Sequence, residues 1–182
     1  MTLTTLPGTT IELPNAQYPV RQLLSSIFIP GGLVLSQISG LTGLTPHILQ
    51  NWVKRGFIPR PVNKKYDITQ FCRIAVMNTL KDNLQLEQIT HLIDHACRSP
   101  NKKIAANVDA TSLYCFFTDV LLHSKCSLEH IPYSIDKILT DYNEPHSGGK
   151  QKLTDIIHAM CTYYIASRIK QSAELLMNTL NQ

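Results

Sequence analysis

Residues 35–66 read LSQISGLTGLTPHILQNWVKRGFIPRPVNKKY, and the order of caps, glycines and apolar spacings in this stretch sets the expected fold. Ser36 stands where it can cap a short helix whose Ile38 and Leu41, three residues apart, share one face. Gly43 ends that helix, because glycine accepts the left-handed conformation that a tight interhelical turn demands, and Leu44 returns to the core. Thr45 then offers a side-chain oxygen at an N-cap, and Pro46 takes the first helical position, where its missing N–H costs nothing. Ile48, Leu49, Trp52 and Val53 form the apolar stripe of this second helix, and Gly56 stops it before Phe57 and Ile58 rejoin the core. Pro59 to Tyr66 reads as a short hairpin-like wing whose prolines stiffen its edges. Two short helices, a tight turn and a basic wing together spell a winged helix-turn-helix.

The charge distribution gives that stretch a direction. From Leu13 to Tyr66 there is no Asp or Glu, while Arg21, Lys54, Arg55, Arg60, Lys64 and Lys65 all fall inside. The formal net charge of the 182-residue chain is only +4, so the remainder is close to neutral. A local excess of one sign argues for a polyanionic partner. On the second helix, His47, Gln50, Asn51, Lys54 and Arg55 occupy the face opposite the apolar stripe. Hydrogen-bonding groups near the helix N-terminus suit base edges, and cations near its C-terminus suit phosphates. Gln50 and Asn51 can each pair bidentately with adenine, worth ~1–3 kcal/mol of discrimination. The candidate DNA-contacting residues are therefore Thr45, His47, Gln50, Asn51, Lys54 and Arg55 from the helix, and Arg60, Asn63, Lys64, Lys65 and Tyr66 from the wing.

Beyond the wing, Asp67 or Thr69 opens a helix carrying Ile68, Phe71, Ile74, Ala75, Met77 and Leu80 and extending to about Leu84. Leu86-Glu87-Gln88-Ile89 opens another, with Leu92 and Ile93 in its stripe. Residues 98–108 read as a linker. A second helical region follows over 109–182, with helices expected from Asp109 to about Lys125, from about Ser134 to Tyr142 and from Lys150 to Leu180. Asn143 to Gly149 is a breaker between the last two. The expected division is an N-terminal extension over 1–32, a DNA-binding domain over 33–97, the linker, and a helical dimerisation or effector region. The fold class is mainly α with a small β wing.

The order of parts resembles the MerR-type winged helix-turn-helix over roughly residues 33 to 95. Ser39, Gly43, Leu44, Thr45, Trp52, Gly56-Phe57, Lys65-Tyr66 and Leu86-Glu87-Gln88-Ile89 stand at the places that pattern requires. The wording LTPHILQNWVKRGFIPRPVNKKY also resembles a bacterial family known only as a domain of unknown function and regarded as MerR-like regulators. The resemblance implies a sequence-specific double-stranded DNA-binding protein, a transcriptional regulator. Gln50 and Asn51 depart from the pattern, which carries Arg and an aromatic there, so the base contacts are not carried over to these positions. A two-fold protein reads a palindrome, and the long C-terminal helix has an apolar side broad enough for a second subunit, so a homodimer is expected. Two other functions fit the same pattern: a winged-helix adaptor for proteins that has lost DNA binding, and an excisionase-like architectural protein.

Other signals are weaker. Five widely spaced cysteines, with no C-x-x-C pair, read as reduced, mostly buried thiols. His91 and His95 lie at i, i+4 with Cys97 nearby, but no segment rich in carboxylate or cysteine completes a metal site. His158 and Cys161 share that weakness, and the tyrosines are better explained by packing than by a ligand pocket. No phosphate loop, nucleophile elbow or paired carboxylates appear, so neither an enzyme nor a cofactor is expected. The chain lacks the ~20 continuous apolar residues of a membrane span and the basic start of a secretory signal. A cytoplasmic location with no membrane partner is expected, and no effector ligand is indicated.

Overall fold

Apolar periodicity near 3.6 dominates the chain, and the structure is correspondingly mainly helical with one small sheet. It is a computed structural model that describes residues 3–13, 19–28, 31–97 and 108–180. The expected linker over 98–108 lies, apart from Val108, outside the described residues. In chain order the elements are α1 (Val20–Ile27), β1 (Leu33–Val34), α2 (Leu35–Thr42), α3 (Pro46–Lys54), β2 (Lys65–Tyr66), α4 (Ile68–Leu80), α5 (Leu86–Cys97), α6 (Ala110–His123), α7 (Ile131–Ile138) and α8 (Gly149–Leu180).

Helix α4 is the centre. Phe71, Cys72, Ile74, Ala75, Val76, Met77 and Leu80 are all fully buried, so apolar side chains point outward around its whole circumference. Its largest partner is α6, whose Leu113, Phe117 and Val120 are also fully buried, while α2, α5 and α8 cover its other sides. Residues from both sides of the 98–107 segment thus belong to one hydrophobic cluster. The N-terminal segment 3–13 joins it as well. Leu3 and Leu6 are buried, the Tyr114 hydroxyl donates to the Pro7 carbonyl (2.7 Å), and Asn78 Nδ2 donates to the carbonyls of Gly8 and Thr42 (both 2.9 Å).

Several element ends differ from expectation for local reasons. Ser36 does not cap α2; the helix begins one residue before it, and Gln37 Oε1 accepts the Val34 N–H (3.0 Å) at its start. Helix α4 stops at Leu80 instead of reaching Leu84, where the Asn83 N–H turns back three residues to the Leu80 carbonyl (3.0 Å) and tightens the chain into a turn. Helix α7 starts at Ile131, three residues ahead of expectation, with Pro132 in its first turn after a 3-10 turn at Leu128–His130. The segment Pro59 to Tyr66, expected as a wing, does not pair only with itself. Its strand β2 lies antiparallel to β1, with Leu33 opposite Tyr66 and Val34 opposite Lys65.

Helix α8 spans 32 residues, about 48 Å at the usual rise. Its side chains are buried at intervals as far as Ser167, and every described residue from Arg168 onward is exposed. Among the described residues no helix is long and apolar enough to cross a membrane.

Gly8 is the tightest point of the N-terminal packing. Its φ is +70°, and a Cβ there would overlap the Ala75 carbonyl oxygen. Gly8→Ala is expected to destabilise the protein by roughly 3 kcal/mol, the cost of a left-handed residue plus displacement of α4 backbone. Urea unfolding checks this, and an unchanged midpoint would mean that the segment does not pack as described.

Candidate nucleic-acid interface

The joint between α2 and α3 is built from short-range chemistry. Gly43 adopts φ +70° as the cap of α2, and its N–H reaches the Ser39 carbonyl (2.9 Å). The Ser39 hydroxyl donates across the turn to the Leu44 carbonyl (2.6 Å), fixing the path of the chain into α3. Thr45 caps α3 and Pro46 follows at its first position, as the sequence indicates. At the far end, the Phe57 N–H reaches the Trp52 carbonyl (2.9 Å) and the Gly56 N–H the Val53 carbonyl (3.1 Å), the paired bonds of a Schellman stop. Leu49 and Trp52 anchor α3 in the core, leaving His47, Gln50, Asn51, Lys54 and Arg55 exposed.

After Phe57 and Ile58, the chain turns sharply at Val62–Lys65. Asn63 and Lys64 both take positive φ, +50° and +63°, and the Lys65 N–H donates to the Val62 carbonyl (2.9 Å). Two successive left-handed residues closed by this bond make a type I′ turn, whose twist suits a hairpin. Asparagine tolerates the conformation; lysine pays for it with about 1 kcal/mol or more of strain. Lys65 and Tyr66 then alternate across the strand, so Lys65 is exposed and Tyr66 is 3 % exposed in the core. Tyr66, expected among the contacting residues, is thus buried beneath the turn, where it also lines the groove beside α3.

The turn faces α3 across a groove of about 740 Å³. Pro46, Gln50, Val53 and Lys54 form one wall, Arg60, Pro61 and Lys64 the other, and Val34 to Ser36 with Tyr66 complete it. No Asp or Glu lines it. Gln50 and Lys54, four residues apart, share the helix face that looks into the groove. His47 and Asn51 lie on the adjoining outward face, outside the groove. The structure thus brings together Gln50, Lys54, Arg60 and Lys64, with Thr45, His47, Asn51, Asn63 and Lys65 exposed around them.

Three residues not singled out from the sequence hold this arrangement. Gln70 forms a reciprocal capping box with Asp67 at the start of α4 and also donates to the carbonyls of Pro59 (3.0 Å) and Arg60 (3.1 Å). One buried amide therefore ties the Pro59–Arg60 backbone to the central helix; the D-x-x-Q spacing was its sequence signal. Arg73 donates to the Phe57 carbonyl (2.7 Å) and pairs with Asp94 of α5 (2.9 Å). Glu87, at the start of α5, pairs with Arg55 at 2.6 Å, and the Arg55 guanidinium also lies over the Phe57 ring, 4.6 Å from its centroid. Among the described residues, the acid-free stretch 13–66 therefore forms an ion pair with an acid from elsewhere at Arg55. That pair is half exposed on both sides and contributes about 0–1 kcal/mol.

The weaker candidates fall elsewhere. The His91 and His95 rings stack 5.8 Å apart, and no group of three or more His, Cys, Asp or Glu suited to a metal occurs among the described residues. Cys72, Cys115, Cys126 and Cys161 are buried free thiols, and Cys97 is half-buried. Burial pushes Cys115 up to about 12 and Cys97 up to about 11, which keeps both protonated and unreactive at neutral pH.

The chain matches one family model, described as Domain of unknown function (DUF1836), over residues 12–117. That span takes in α1 to α5 and the first half of α6, and so includes the whole groove. No curated protein and no solved structure matches.

Lys64→Gly is expected to stabilise the fold by about 1 kcal/mol by relieving the left-handed lysine, whereas Lys64→Ala keeps the strain and changes stability little. Thermal unfolding of the two variants side by side checks the turn. Equal melting temperatures would show that position 64 carries no strain.

Proposed function

We propose that this chain, which belongs to the DUF1836 family, binds double-stranded DNA sequence-specifically and acts as a transcriptional regulator. In this proposal α2 and α3 form a helix-turn-helix, the Val62–Lys65 turn is its wing, and the whole is MerR-like. The observation that carries it is the acid-free groove, in which Gln50 and Lys54 stand opposite Arg60 and Lys64. A helix about 10–12 Å across fits a major groove ~12 Å wide, so α3 would lie there with its exposed face toward the bases. Gln50 and Asn51 carry amides that both donate and accept, matching the edge of adenine, and His47 lies beside them. Lys54, Arg60, Lys64 and Lys65 would meet phosphates, with Thr45 and Asn63 adding hydrogen bonds; such interactions supply affinity and position rather than sequence. The mechanism is binding and release.

A homodimer is part of the same proposal. On the free part of α8, Ile169, Ala173, Leu176 and Leu180 fall on one face at spacings of four, three and four. That order reads the same in both directions. In an antiparallel two-fold pair Ile169 would meet the partner's Leu180 and Ala173 the partner's Leu176, large against small. Ile169, Leu176, Met177 and Leu180, each at least 58 % exposed, would supply the apolar surface that such a pair buries. Leu176→Asp is expected to give a monomeric mass by light scattering where the native chain gives a dimeric one; a monomeric native chain would remove this part.

The DNA reading is tested by anisotropy titration of random duplex DNA at several salt concentrations. Lys54→Ala, Arg60→Ala and Lys64→Ala combined should weaken binding to every sequence and lower the salt slope by ~0.9 for each phosphate that is no longer neutralised. Gln50→Ala should instead relax preference at one base pair, by ~1–3 kcal/mol. Native binding that is absent or insensitive to salt would favour a protein adaptor over a DNA-binding protein.

A further inference from the structure

Among the exposed cations around the groove, Arg55 is set apart by its partner. The Glu87 carboxylate sits 2.6 Å from its guanidinium, whereas no ion pair is formed by Lys54, Arg60, Lys64 or Lys65 among the described residues. Arg55 follows the last residue of α3, the end of the helix that suits phosphates, one residue beyond Lys54 and four beyond Asn51. Its place is fixed twice, by Glu87 and by the face of the Phe57 ring. Phe57 is itself held from behind, where Arg73 donates to its carbonyl and pairs with Asp94. Glu87 and Asp94 are seven residues apart on α5, two helical turns, so one face of that helix presents Glu87 to Arg55 at the end of α3 and Asp94 to Arg73 of α4.

The two pairs differ in burial. Arg73 and Asp94 are 14 % and 32 % exposed, and the pair closes a packed joint; Arg55 and Glu87 are 49 % and 60 % exposed and can part without opening the core. Carboxylate and phosphate oxygens satisfy a guanidinium by the same charge-assisted hydrogen bonds. We infer that Glu87 stands in for a DNA phosphate in the free protein, and that Arg55 exchanges it for a backbone phosphate when the duplex docks. Glu87 is then a determinant of affinity: it lowers binding to any duplex by competing for Arg55. This inference rests on the DNA-binding reading and extends it to a residue outside the groove.

The test is a double-mutant cycle in the full chain, read by anisotropy titration of a labelled random duplex: native, Glu87→Gln, Arg55→Ala and the double variant. Glu87→Gln is expected to tighten binding roughly two- to fivefold, the equivalent of an exposed ion pair. Arg55→Ala should weaken it and lower the salt slope by ~0.9. In the Arg55→Ala background the gain from Glu87→Gln should vanish. Equal gains in both backgrounds would mean that Glu87 acts only through net charge and would overturn the exchange. Weaker binding by Glu87→Gln would overturn it too, since the carboxylate would then be an aid and not a competitor. Failure of the native chain to bind at all would defeat the DNA-binding reading itself, and the exchange with it. Circular dichroism melts of the four proteins, expected to agree closely, separate these outcomes from misfolding.

Discussion

Helix α4 has no face left for solvent. Phe71, Cys72, Ile74, Ala75, Val76, Met77 and Leu80 surround it, and the cost of exposing any of them recruits a cover from every direction. Helix α6 takes one side; α2, α5, α8 and the segment 3–13 take the others. What emerges at the ends of α4 is then held to a rigid post. At its N-terminus the Asp67–Gln70 box seizes the carbonyls of Pro59 and Arg60, and near its C-terminal end Asn78 gathers Gly8 and the end of α2. The groove between α3 and the Val62–Lys65 turn inherits its shape from that post.

Much of this was legible because it is local. Gly43, Thr45-Pro46 and Gly56 each act through bonds that span five residues or fewer, and the structure has them in the roles their chemistry assigns. The mainly helical composition followed from spacing in the same way. What the sequence hid was pairing at long range. Leu33–Val34 is too short to show a strand pattern, and its partner Lys65–Tyr66 lies more than thirty residues on. Glu87 shows no local sign that it will close on Arg55, 32 residues earlier. The burial of Tyr66 beside the exposed Lys65 has a simpler cause: a strand sends adjacent side chains to opposite faces.

The turn at Val62–Lys65 also sets charge against conformation. A type I′ turn favours Asn or Gly at both central positions, and here the second is Lys64. Its strain is tolerated because Gln70 and the pairing with β1 determine the flanking backbone from both sides. A lysine at the tip of a tight turn is also a lysine whose main chain is fixed, so its ammonium is offered from a defined point beside Arg60.

Helix α8 runs without a break from Gly149 to Leu180, its first half wedged among α4, α5, α6 and α7 and its last turns free. Helices of this length bend only gently, so the two halves cannot reorient separately. A tilt of ~10° at Ser167 carries Leu180, about 20 Å further along, through ~3 Å. The molecule therefore contains a stiff rod whose longer arm, from Gly149 to Ser167, is embedded in the core that seats α4. A change in the seating of that arm is carried along the rod to its free tip.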